Sequence, residues 1–216
     1  MELKLDLHMH SSFSYDSKMK VEEIIKRAIR KGLDGIAITD HETFKGAILA
    51  EKIAKEIDSK FIILKGEEIE TEIGDIIGLF LKKEVKSRKF KEVVSEIKKQ
   101  GGLVVLPHPG KYHKINNEVI KNVDLVEIFN SQLTDSANNI AKEIVKSNKK
   151  PFVAGSDAHN LFQIGRGVTK IKSKSLSEKD LKLALLEKNK EIIINKPNII
   201  LRFWIIFLKV WRKYVK

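Results

Sequence analysis

The chain has 216 residues, 42% hydrophobic and 32% charged, enough to bury a sizeable core in one domain and unlike a disordered polyelectrolyte. It has no cysteine, which excludes disulfides, thiolate metal sites and thiol nucleophiles and leaves any transition metal to His, Asp and Glu. Forty-one basic residues against 29 acidic ones give a formal charge of +12, which favours a polyanionic substrate or partner.

Met1 runs into the alternating stretch Leu3-Lys4-Leu5-Asp6-Leu7 with no apolar leader, so a cytoplasmic location is expected. Short apolar runs at 4–8, 35–39, 61–65, 76–81, 103–106, 125–129, 152–154 and 168–171 read as strands, rich in Ile, Val, Leu and Phe as strands buried on both faces are. Between them lie amphipathic helical segments at 20–31, 45–57, 90–100 and 135–147. In the first, Val21, Ile24, Ile25, Ala28 and Ile29 share one face and Gly32 supplies the stop. A fifth helix, 177–188, has Ser177 as its cap. Strand–helix alternation through seven or eight units predicts an α/β barrel. It fails between Ile69 and Leu81, where two apolar runs follow each other with no helix between them.

Five of the six histidines, His8, His10, His41, His108 and His159, come just after a strand, and His113 falls outside the pattern. Acidic residues share those ends: Asp6, Asp16, Asp40, Glu67, Glu68, Glu70, Asp75, Glu127 and Asp157. In parallel α/β folds the C-terminal strand ends are where ligand-binding groups collect. The pairs His8/His10 and Asp157/His159 are both spaced i, i+2, which puts their side chains on one side of an extended segment. Cations lying close together need such mixed imidazole and carboxylate donors, with a carboxylate to bridge them.

Asp6-Leu7-His8-Met9-His10-Ser11, Thr39-Asp40-His41, Gly66-Glu67-Glu68, Leu106-Pro107-His108-Pro109 and Gly155-Ser156-Asp157-Ala158-His159 occur in that order, followed by Ile164-Gly165-Arg166-Gly167. Over residues 3–171 this series resembles the PHP (polymerase and histidinol phosphatase) family. The resemblance implies a distorted (β/α)7 TIM-like barrel with up to three divalent cations (manganese, iron or zinc) hydrolysing phosphate esters. By the same resemblance His8, His10, Glu68 and Asp157 hold one cation. Glu68 and His108 hold a second, and Asp16, His41 and His159 a third. Many relatives carry a histidine on the strand after the glutamate where this chain has Asp75, so either Asp75 supplies an oxygen or the second site is weak. Arg166 is read as a phosphate clamp or as a loop salt bridge, and Lys111 as a second phosphate contact. Asp40 either orients His41 or holds an outer water.

Six basic residues between 82 and 91 could contact a nucleic-acid backbone. A boundary near Asn195 divides a domain at 1–195 from a cationic, aromatic tail at 196–216, expected as a helix. Packing on the barrel, a dimer contact and an anionic membrane surface are all open to that tail. Its apolar stretch is broken by Arg202, Lys209, Arg212 and Lys213, so it falls short of the ~20 largely uncharged residues of a membrane span. The expected activity is hydrolysis of a phosphate ester of a nucleotide, short oligonucleotide or other small molecule. The alternatives are a histidinol-phosphate phosphatase and a non-catalytic metal-binding regulatory module.

Overall fold

The computed structural model describes residues 1–111 and 113–196; the expected helical tail lies outside the described residues. The chain starts with β1 (Glu2–Asp6), α1 (Val21–Arg30), β2 (Gly35–Ile38) and α2 (Lys45–Ile57). It continues through β3 (Ile62–Thr71), β4 (Gly74–Leu79), α3 (Phe90–Lys99), β5 (Leu103–Leu106) and α4 (Asn117–Asn122). It closes with β6 (Leu125–Asn130), α5 (Asp135–Asn148), β7 (Phe152–Gly155), β8 (Gly167–Lys172), α6 (Glu178–Leu186) and β9 (Glu191–Ile194). Helix α1 buries Val21, Ile24, Ile25 and Ala28, the stripe read from the sequence, and the chain leaves it through Gly32 at φ 70°, a conformation glycine adopts without strain.

The sheet order is β7-β6-β5-β4-β3-β2-β1-β8-β9. The β1–β2, β2–β3, β5–β6 and β6–β7 pairs are parallel, whereas β4 is antiparallel to both β3 and β5. That reversal is the point where the alternation failed in the sequence: Glu72-Ile73 turn β3 directly into β4. The sheet curves into a nearly closed barrel. Beyond the end of β1, Asp157 N donates to His8 O at 2.8 Å and His10 N to Ala158 O at 3.0 Å, a parallel bridge that brings β7 to β1. Lower down, β8 runs antiparallel to β1 and meets β7 through a side chain. The Thr169 hydroxyl accepts from Ala154 N at 2.8 Å and donates to Ala154 O at 3.1 Å.

The strands divide their side chains between two apolar clusters. One gathers Leu3, Leu5, Ala37, Leu64, Ile77, Val105, Leu125 and Val153, and α6 adds Leu181 and Leu185 to it. The other packs Ile36, Ile38, Val104 and Val126 against Ile24, Ala47, Val93 and Ile97 of the helices. At roughly 1.5–3 kcal/mol for each large aliphatic side chain removed from water, this double burial is the main stabilising term. It makes the strand ends a rigid platform.

Candidate metal centre

All five strand-end histidines meet at one mouth of the barrel. His8 and His10 follow β1, Asp16 lies in the loop before α1, and His41 follows β2. Glu68 projects from β3, His108 follows β5, and Asp157 and His159 follow β7. Because β4 is antiparallel, its first residues sit at this same mouth and deliver Asp75.

The donor atoms crowd together. His8 Nε2 is 3.1 Å from Glu68 Oε2 and 3.3 Å from His10 Nε2, which is itself 3.1 Å from Asp157 Oδ1. His108 Nε2 lies 2.9 Å from Glu68 Oε1 and 3.9 Å from Asp75 Oδ2. Asp16 Oδ2 is 2.7 Å from His159 Nε2 and 3.4 Å from His41 Nε2. In each of four sets the donor atoms lie within 4.8 Å of one another: His8/His10/Glu68, His8/His108/Asp157, Glu68/Asp75/His108, and His10/Asp16/His41/His159. His10 thus also stands beside the set that the resemblance gave to the third cation. Asp75 joins Glu68 and His108. Glu67 turns the other way and accepts from Val85 N at 2.9 Å, where burial pushes its carboxyl up to about 7.

The tautomers test whether cations fit here. His159 Nδ1 faces the Asp157 carbonyl oxygen at 2.9 Å. A carbonyl can only accept, so the proton sits on Nδ1 and Nε2 turns a lone pair toward Asp16. His8 Nδ1 similarly donates to Glu127 Oε1 at 3.0 Å, which leaves its Nε2 lone pair facing Glu68, Asp157 and His10. Lone pairs aimed at carboxylates in a buried pocket repel unless a positive charge lies between them. In the metal-free protein protons supply it. Burial works against charged imidazoles, but Asp157, Glu68 and Glu127 hold His8 well above its ordinary value, and Asp157 and Glu68 lift His10 to about 9. The histidines in turn hold Glu68 and Asp157 below the usual carboxylate range despite their burial. Divalent cations would satisfy the same donors, so the residues fit them.

The backbone supports this arrangement under strain. Asp157 has φ 50° and His108 φ 26°, positive values that residues other than glycine adopt uncommonly. A side chain on Gly155 would come within 2.4 Å of Glu127 Oε1 and of His8 Cβ, so only glycine lets β7 approach. Asn130, at the end of β6, donates to Glu127 Oε2 at 3.0 Å and to Asp157 Oδ2 at 3.1 Å. Neither Glu127 nor Asn130 was assigned a site role from sequence. Glu127 could be noticed as a strand-end acid, and Asn130 gave no signal.

A cleft of ≈ 290 Å³ opens above the cluster, bordered by Tyr15, Glu42, Glu70, Thr71, Lys111 and His113. Two sequence-derived residues stand elsewhere. Asp40 is buried with its carboxylate taken up by Ser11 N and Ser11 Oγ, so it secures the 11–19 loop and does not orient His41. Arg166 is not among the residues that border the cleft; its charge, with that of Arg27, acts on Lys31. His113, half-buried and pushed down to about 4 by desolvation, donates from Nε2 to the Asp75 carbonyl at 2.9 Å. Among the described residues no helix is long and apolar enough to cross a membrane.

A barrel with imidazoles and carboxylates converging at its mouth defines the class of metal-binding α/β barrels. Within that class the chain belongs to the PHP domain family: the PHP domain model matches residues 6–102 and the PHP-associated model residues 135–189. An uncharacterized protein of Methanocaldococcus jannaschii is 40% identical over 154 residues, 64% of this chain and 89% of that one. A probable histidinol-phosphatase of Thermotoga maritima is 24% identical over 207 residues, 77% of this chain and 89% of its own. The fold matches a solved two-domain protein of Bacteroides vulgatus containing a predicted PHP-like metal-dependent phosphoesterase, with TM-score 0.78 and 23% identity. That match covers 90% of this chain and 65% of the other.

Proposed function

We propose that the chain is a metal-dependent phosphoesterase that hydrolyses a phosphate ester of a nucleotide, a short oligonucleotide or another small phosphorylated molecule. The observation that carries this reading is the meeting of ring nitrogens from His8, His10, His108 and His159 with the carboxylates of Glu68, Asp16 and Asp157 beneath an open cleft. His8, His10, Glu68 and Asp157 would hold one divalent cation, Glu68, His108 and Asp75 a second, and Asp16, His41 and His159 a third. When bound, such cations supply Lewis acidity and make water acidic enough to attack phosphorus near neutral pH. Glu127 keeps the His8 proton on Nδ1, and the Asp157 carbonyl does the same for His159, so both Nε2 atoms stay available. Lys111, exposed at the cleft edge, offers a point charge to a phosphate oxygen. In the reaction the phosphorus–oxygen bond to the alcohol breaks, a bond to the water oxygen forms, and the alcohol leaves protonated.

The Thermotoga maritima relative supports histidinol phosphate as a second candidate substrate. A chromogenic phosphate ester with manganese tests the main reading. Wild type turns it over, and His8→Ala and Asp157→Ala each lose at least a hundredfold in rate, as expected when a whole ligand is removed. Undiminished rates in both variants would overturn the site assignment. Bound metal with no turnover on any ester would favour a regulatory module.

A further inference from the structure

Tyr15 stands at the lip of the cleft and no role above uses it. The residue is 83% exposed, yet its ring lies against the His41 imidazole, with centroids 5.0 Å apart and planes 21° from parallel. A single exposed tyrosine means little by itself. This one is held in place. The loop that carries it is tied on both sides, by Ser12 N to Met19 O at 2.8 Å, Ser14 Oγ to Asp16 Oδ1 at 2.7 Å and Ser17 Oγ to His10 O at 2.9 Å. Ser11 fastens the same loop to the buried Asp40. One face of the ring is therefore occupied by His41, and the residue is held at the border of the cleft. Across the rim Glu70 is exposed, and Glu42 accepts from Glu70 N and pairs with Arg88. A carboxylate at the lip accepts N–H groups and repels a second phosphate, so it suits a monophosphate better than a polyanion.

We propose that Tyr15 is the specificity-determining residue of this site: its free face stacks a planar nitrogen heterocycle carried by the leaving alcohol, as in a nucleoside monophosphate, with Glu70 accepting a ring or exocyclic N–H. Stacking on an aromatic side chain is tolerant of base identity, so the selection is for a flat ring over none. The inference rests on the phosphoesterase reading for the position of the phosphate.

The test compares adenosine 5′-monophosphate with ribose 5-phosphate, which keeps the phosphorylated sugar and has a hydroxyl in place of the base, on manganese-loaded wild type, Tyr15→Phe and Tyr15→Ala. Kinetics and equilibrium dialysis are both read, together with metal content. Wild type and Tyr15→Phe prefer the nucleotide by about tenfold or more, in line with base–aromatic stacking. Tyr15→Ala loses most of that ratio through KM while its metal content matches wild type. An unaltered ratio in Tyr15→Ala overturns the proposal, and so does a loss of metal that tracks the loss of activity, since Tyr15 would then be a positioning residue for His41. A binding preference that depends on Tyr15 without turnover of either compound would keep this inference and remove the hydrolase.

Discussion

Glu127 shows how much of the site depends on a residue outside the proposed ligand set. Its Oε1 accepts from His8 Nδ1, and its Oε2 accepts from His108 N at 2.8 Å and from Asn130 Nδ2. One carboxylate thus fixes donors on three strand ends, and through Asn130 it also reaches Asp157. Glu127→Gln can turn an amide N–H toward His8 Nδ1, which sets donor against donor and pushes the imidazole proton onto the nitrogen that faces the cations. Metal affinity is expected to fall roughly 10–100-fold, read by competition with a coloured chelator, with the fold retained by circular dichroism. An affinity equal to wild type would mean that the tautomer is set elsewhere. That histidines and acids gather at strand ends was legible in the sequence, because each motif follows an apolar strand run. The role of Glu127 was not, because spacing does not say which atoms face each other across 119 residues of chain.

Among the elements, the strands read from apolar runs all form, and the missing helix between 69 and 81 corresponds to a real change of direction. Three features escaped the pattern. Strand β3 extends to Thr71 because its second half pairs with β4, although Glu67, Glu68 and Glu70 make that half look like a loop. Helix α4 has six residues, too few for a period to show, and is marked only by Asn116 capping Val119 N. Strand β9 is a short edge strand whose place beside β8 is fixed by tertiary pairing. The PHP-associated match at 135–189 spans α5, β7, β8 and α6, so that region completes the barrel. At the junction it forms, the Thr169 hydroxyl hydrogen-bonds β8 to β7. Thr169→Val keeps the shape and removes both hydrogen bonds, leaving Ala154 N buried with its acceptor gone. About 1–3 kcal/mol of stability should be lost, measured by urea unfolding. No change in the midpoint would show that water or a backbone shift replaces the hydroxyl.

For the molecule as a whole, the cluster links stability to pH and to metal. His10 is raised from 6.5 to about 9 and His8 also upward, so their stabilisation in the metal-free protein is full below pH 6.5 and lost as pH rises through 9. Glu68 and Asp157 are lowered from 4.5 and 3.8, so theirs is full above those values and lost on acidification. The contribution of the cluster in the metal-free protein should therefore be greatest between about pH 4.5 and 6.5. Cations bind the deprotonated imidazoles, so binding releases protons and strengthens as pH rises. After chelation the melting temperature should fall from pH 6.5 to 9, while the manganese-loaded protein holds its value. A flat profile after chelation would contradict this linkage.

The proposed donors are spread from His8 to His159, and the bridge from Met9 to Ala158 joins the first barrel strand to the seventh beside them. A nascent chain therefore has nothing able to hold the full cluster until most of the polypeptide has left the ribosome and its two ends have found each other. Assembly of the complete set would then be a late event in biogenesis, and a fragment cut between those residues would inherit an incomplete coordination sphere.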